Sequence, residues 1–166
     1  MGAVFELDER LRRHVLNEYL ERFRSTLFRQ TMFAEFEHRA HELSAEGEPL
    51  TADRLDGLYR ELKSDYYAPA AVDDRIAREW MRIPHFYSAF YVFQYATGIS
   101  AVVALVEAIR SEGEPAAQRY RDFLASGSRK YPLELLDDAG VDMADSAPVE
   151  AALDVYDDYL DEFERL

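Results

Sequence analysis

Apolar residues recur along this chain at intervals of three, four and seven, the repeat of a helix with one buried face. From Asp8 to about Ala45 the positions Leu16, Leu20, Phe23, Leu27, Phe33, Phe36, Ala40 and Leu43 keep that rhythm, predicting one long helix or two in series. Gly47-Glu48-Pro49 ends the run. Thr51 then reads as an N-cap, with Leu55, Leu58, Tyr59 and Leu62 as the stripe of a shorter helix. Tyr66-Tyr67-Ala68-Pro69 breaks it, Asp73 or Asp74 opens another turn towards Trp80, and Pro84 breaks again. A long apolar helix is predicted from about Phe86 to Ile109. Gly113-Glu114-Pro115 separates it from the next helix, which Gly127 closes. Pro132 opens one or two turns ending at Gly140, and Ser146-Ala147-Pro148 opens the last helix, with Val149, Leu153, Tyr156, Leu160 and Phe163 as its core stripe. No alternating strand pattern and no internal repeat is present. The fold class is all-α, and residues 1–166 read as a single helical segment without an obvious linker.

Composition narrows what such a fold could do. The chain has 166 residues, 48% of them hydrophobic, which fits one domain with a real core. It has no cysteine, so disulfides, thiol nucleophiles and thiolate metal sites are excluded. The net charge of -14 repels phosphate backbones and anionic lipid, arguing against nucleic-acid and membrane partners. Peptides, cations and proteins remain. Of 19 basic residues only Lys63 and Lys130 are lysine. That bias fits adaptation to a salty cytoplasm, or an acidic protein from an Arg-biased genome. The acidic run of the last helix reads as a solvated face.

Met1 is followed by Gly2-Ala3-Val4-Phe5-Glu6 and then charged sequence, which does not resemble a secretory signal, so the cytoplasm is the expected location. The uncharged stretch from Ile83 to Val106 contains Pro84, His85, Gln94 and three tyrosines, which suit a buried helix lining a polar site better than a membrane span.

Candidate chemistry is sparse. His41-Glu42 is followed by Ala45 where a helical zinc motif needs a second His, and no second Glu-x-x-His accompanies Glu35-x-x-His38. His38 is expected at the surface and His41 on a helix face meeting Glu37. No nucleophile elbow or Gly-rich phosphate loop is present. The segment Ile83–Gly98 is richer. If it is helical from Phe86, then Tyr87, Tyr91 and Tyr95 form one hydroxyl-bearing stripe with His85 at its mouth. Such donors can stabilise a developing oxyanion. From spacing alone the simpler reading is preferred, core-helix tyrosines that reach partners at its edge. Gly98 would let a ligand or another backbone approach closely.

Three strings, FRQTMFAEFE at 28–37, IPHFYSAFYVFQYATG at 83–98 and YPLELLDDAGVDM at 131–143, resemble the C-terminal part of the oligoendopeptidase F family, within the thimet oligopeptidase-like zinc peptidases. The resemblance runs from about Leu11 to the end. It implies a mostly helical, cytoplasmic metalloendopeptidase that cuts short peptides in a deep channel, with zinc held by a His-Glu-x-x-His helix and a later Glu. It further implies that His85, Tyr87 and Tyr91 face the cleft to bind substrate and stabilise the tetrahedral intermediate, with Tyr95 as a substrate-binding position; the close approach allowed at Gly98 makes that glycine a further substrate-binding candidate. Phe93 stands where such proteins often carry Tyr. The zinc motif and its distal Glu are absent from this sequence. The isolated chain is therefore expected to lack metal ligands and catalysis, and to need the missing N-terminal part or self-association to cover apolar surface. The rival expectations are a non-catalytic helical peptide-binding or assembly module, and a truncated product without function.

Overall fold

The computed structural model describes residues 8–166. The segment Gly2–Glu6, on which the expectation about a leader rests, lies outside the described residues. Every regular element among the described residues is helical: α1 (Glu9–Phe23), α2 (Arg29–Ala45), α3 (Ala52–Tyr66), α4 (Phe93–Glu112), α5 (Glu114–Ser126), α6 (Pro132–Asp138) and α7 (Ala147–Glu164). A π turn occupies Arg24–Phe28, and two 3-10 helices occupy Ile76–Arg82 and Pro84–Tyr87. The chain forms two compact units, one over Ser25–Ala96 and one combining the described residues up to Arg24 with Thr97–Leu166.

In the Ser25–Ala96 unit, α2 and α3 bury Met32, Phe33 and Phe36 against Leu58, Tyr59 and Leu62. The π turn explains an irregularity in the apolar repeat. A π turn inserts one residue, so the buried series steps by five from Leu27 to Met32, where a regular helix would put Gln30 or Thr31 inside. The expected first helix is therefore two helices in series. Thr51 caps α3, its side chain accepting the Arg54 N–H at 3.3 Å. Asp73 is the acid that opens the next turn, its Oδ1 accepting the N–H groups of Arg75 and Ile76. Ile83 and Val92, from the segment after that turn, complete the core.

In the other unit, α1 packs against α7 through Tyr19–Tyr159 and Phe23–Tyr156 ring pairs and an Arg12–Glu162 ion pair of 2.7 Å. The buried face of α7 holds Pro148 and Ala152, whereas Val149 and Leu153 are each 37% exposed. The predicted stripe for this helix is thus rotated by one position at its start: a proline and an alanine allow the close packing, and the branched residues lie outside it. Ala101 and Leu105 of α4 meet Ala139, Val141, Tyr120, Phe123 and Leu136 in a second core. Gly140, at φ +91°, lets the chain reverse after α6 so that the Val141 N–H returns to the Leu136 carbonyl at 2.9 Å. Asp154, Asp157, Asp158, Asp161 and Glu164 are exposed. Among the described residues no helix is long and apolar enough to cross a membrane.

Candidate functional site

The long helix expected from Phe86 starts at Phe93 instead. Residues 84–87 form a 3-10 turn, and 88–92 have no regular structure. Pro84 starts the turn, and its three-residue repeat carries the side of Ile83 round to Phe86, both packed in the core. His85 is left half-buried and Tyr87 is 88% exposed. The four-residue tyrosine stripe therefore does not form as one helical face.

Another arrangement of the same residues does form. The His85 ring stacks on Tyr91 with centroids 5.6 Å apart and meets the edge of Tyr95 at 5.5 Å. The hydroxyls of Tyr91 and Tyr95 are 3.3 Å apart, and the Tyr95 hydroxyl is 3.3 Å from His85 Nε2. Three polar tips thus form one hydrogen-bonded rank along an exposed edge, the His tautomer setting the direction of donation. The hydrogen bond with Tyr91 raises the pKa of Tyr95 above that of an ordinary phenol. A phenol keeps its proton throughout the neutral range, so Tyr95 can act as a donor. Tyr87 stands apart from this rank. Gly98 lies in α4 within the other unit, and a Cβ there would find nothing within 4 Å.

Two features hold the segment, and sequence reasoning identified neither. Glu79, 7% exposed, receives the Tyr59 hydroxyl at 2.7 Å and Lys63 Nζ at 3.1 Å on Oε2, and Arg29 and Arg82, each at 2.5 Å, on Oε1. This fixes the 3-10 helix that leads into Ile83-Pro84-His85 against α2 and α3. Burial pushes the Glu79 pKa up, but the Tyr59 and Lys63 hydrogen bonds and the charges of Lys63 and Arg29 outweigh it, so the net shift is downward. Burial, helped by Glu79, pushes Tyr59 far up. The partners come from positions 29, 59, 63 and 82, and no sequence spacing announces such a convergence. The second feature is Glu37 of α2, whose Oε1 accepts the Phe90 N–H at 2.8 Å, while the His41 ring lies 4.6 Å from that of Phe90. The expected His41–Glu37 meeting is thus replaced by a joint grip on Phe90.

Among the described residues no group of three or more His, Asp or Glu is gathered as a metal site. The carboxylates of interest are engaged otherwise. Glu35 accepts the Tyr66 hydroxyl at 2.9 Å, and burial together with that bond pushes Tyr66 up to about 12. His38 pairs with Glu42 at 3.2 Å on the surface. This donor set does not fit a zinc ion.

The family model "Peptidase family M3" matches residues 4–155. The chain is 52% identical over 160 residues to oligopeptidase PepF of Bacillus subtilis, covering 96% of this chain and 24% of that protein. It is 45% identical to an oligoendopeptidase F homolog of Lactococcus lactis subsp. lactis, covering 96% of this chain and 27% of that protein. The crystal structure of oligoendopeptidase-F from Enterococcus faecium superposes with a TM-score of 0.92 at 45% identity, over 96% of this chain and 31% of that one. The chain thus spans about a quarter of the length of the curated relatives it matches, aligning with their C-terminal part.

Proposed function

The chain belongs to peptidase family M3, and on that premise we propose that it is the C-terminal helical part of an oligoendopeptidase F-like zinc endopeptidase that hydrolyses short peptides in the cytoplasm. The observation that carries this reading is the rank of His85, Tyr95 and Tyr91 tips on an exposed edge. In the proposal these side chains hydrogen-bond the carbonyl of the scissile bond and stabilise the negative charge that develops on its oxygen. Stacking and mutual hydrogen bonds fix the three groups before substrate arrives, so little reorganisation is needed at the moment of reaction. Tyr87, exposed and apart, would serve in substrate contact rather than in the rank.

Zinc would supply the activated water. In the proposal its ligands lie in the part of the relatives' length that this chain does not span. The chain alone is accordingly expected to bind peptide without cleaving it. Titration of a blocked hexapeptide into the chain, followed by the NMR signals of His85 and Tyr95, tests the reading. Shifts confined to the rank, and weakened by Tyr91→Phe, support it. An unperturbed spectrum at millimolar peptide contradicts it.

A further inference from the structure

We infer that Glu37 is a positioning residue for the His85–Tyr91–Tyr95 rank, acting by holding Phe90 in a left-handed backbone conformation. The inference builds on the reading of that rank as substrate-facing. Phe90 has φ +56°, and among the described residues it is the single non-glycine with positive φ. Bulky side chains avoid this region because Cβ crowds the following carbonyl, so something must hold it there. Nothing regular does, since residues 88–92 belong to no helix.

The hold comes from α2. Glu37 is 6% exposed, and its carboxylate reaches 53 positions along the chain to accept the Phe90 N–H at 2.8 Å. A carboxylate accepting an amide N–H makes a stronger bond than a neutral acceptor, and its burial shields the bond from water. One helical turn later, His41 covers the Phe90 ring at 4.6 Å with the planes 32° apart. Glu37 thus takes the backbone and His41 the ring.

The direction of the chain beyond Phe90 depends on this grip. Val92 goes inward and is completely buried in the core with Phe33, Phe36 and Ile83. Tyr91 is turned outward over the His85 ring, where its hydroxyl meets that of Tyr95. With φ of Phe90 relaxed to a negative value, Val92 and Tyr91 cannot both keep these places.

The test uses the full chain and four variants: Glu37→Ala, Glu37→Gln, Phe90→Gly and the Glu37→Ala/Phe90→Gly pair. Two signals are read by NMR, the hydrogen exchange of the residue-90 amide and the nuclear Overhauser contact between the Tyr91 and His85 rings. Glu37→Ala should speed exchange of that amide at least about tenfold, the scale of one lost hydrogen bond, and remove the ring contact. Glu37→Gln, which keeps an acceptor oxygen, should retain both signals. In the double variant glycine adopts positive φ without a clamp, so the ring contact should return although the Glu37 bond is gone. A merely structural role for Glu37 would give no such rescue. Survival of the ring contact in Glu37→Ala overturns the inference. If Glu37→Ala does not fold, absence of the ring contact in the folded Phe90→Gly variant, where glycine should preserve it, overturns it equally. Peptide titration of the same variants keeps the two readings apart. A chain whose ring contact follows Glu37 but which binds no peptide sustains the clamp and refutes the role given to the rank.

Discussion

The hydroxyl of Tyr59, a side chain with no solvent exposure, donates to the Glu79 carboxylate at 2.7 Å in the interior of the Ser25–Ala96 unit. The same carboxylate pairs with Lys63, Arg29 and Arg82, so one acidic group ties α2, α3 and the 3-10 helix that precedes His85.

Removal of that acid leaves buried donors unmatched. Glu79→Ala should cost about 3–5 kcal/mol, the range for breaking a buried ion pair by deleting one partner. Tyr59→Phe, which deletes one hydrogen bond to a charged acceptor, should cost less, about 1.5–3 kcal/mol. Urea unfolding of both variants checks the order. Equal costs would place the weight of the cluster on Tyr59 rather than Glu79.

The lowered Glu79 pKa also makes a statement about acid. A carboxyl whose folded pKa lies below its ordinary value of 4.5 contributes stability that is full above that value and is lost as pH falls through the folded pKa. The wild-type chain should therefore lose stability below about pH 4.5 more steeply than Glu79→Gln. Chemical denaturation at a series of acid pH values measures the difference.

The tyrosine rank has a spectroscopic signature. Because the hydrogen bond with Tyr91 raises Tyr95, the Tyr95 phenol should ionise above the ordinary tyrosine range, and Tyr91→Phe should bring it down. The Tyr95 ring signals, followed by NMR through alkaline pH in the two proteins, read the shift directly. An unchanged titration would mean that the 3.3 Å hydroxyl contact does not persist in solution.

The face of α7 is tested by two substitutions on adjacent residues. Ala152 is fully buried, so Ala152→Leu should overpack its surroundings and cost about 1–3 kcal/mol. Leu153→Gln, at a position 37% exposed, should change stability by less than about 1 kcal/mol. Thermal melts suffice, and the reverse order would restore the stripe read from the sequence.

Much of the fold was written in punctuation. Thr51, Asp73, Gly113-Glu114-Pro115, Pro132 and Gly140 each act through their own backbone or a neighbour within three residues, and each helix boundary they announced is present. What stayed hidden depends on distant partners. The apolar run from Phe86 satisfies a helical repeat, but residues 88–92 are not helical, and Phe90 is tied to Glu37, 53 positions away. Glu79 gathers donors from three elements. In α7 two adjacent stripes were both apolar, and the small residues Pro148 and Ala152 took the tight contact, a choice that packing makes and periodicity does not. At 83–98 the sequence singled out His85 and the tyrosines as a group, and a group forms, but its membership was not legible: Tyr87 stands out of it and Tyr95 is central.

The central claim is that this chain completes a peptidase whose metal ligands lie elsewhere. The most direct measurement mixes it with the separately produced remainder of a relative, the part of the Bacillus subtilis protein that precedes the matched region, and follows cleavage of an internally quenched octapeptide with and without zinc. The account predicts zinc-dependent cleavage by the mixture, none by this chain alone, and a loss of at least about tenfold with Tyr95→Phe, as for removal of one oxyanion donor. A mixture that associates and loads zinc yet leaves the peptide intact, or cleaves it equally well with Tyr95→Phe, would contradict the account.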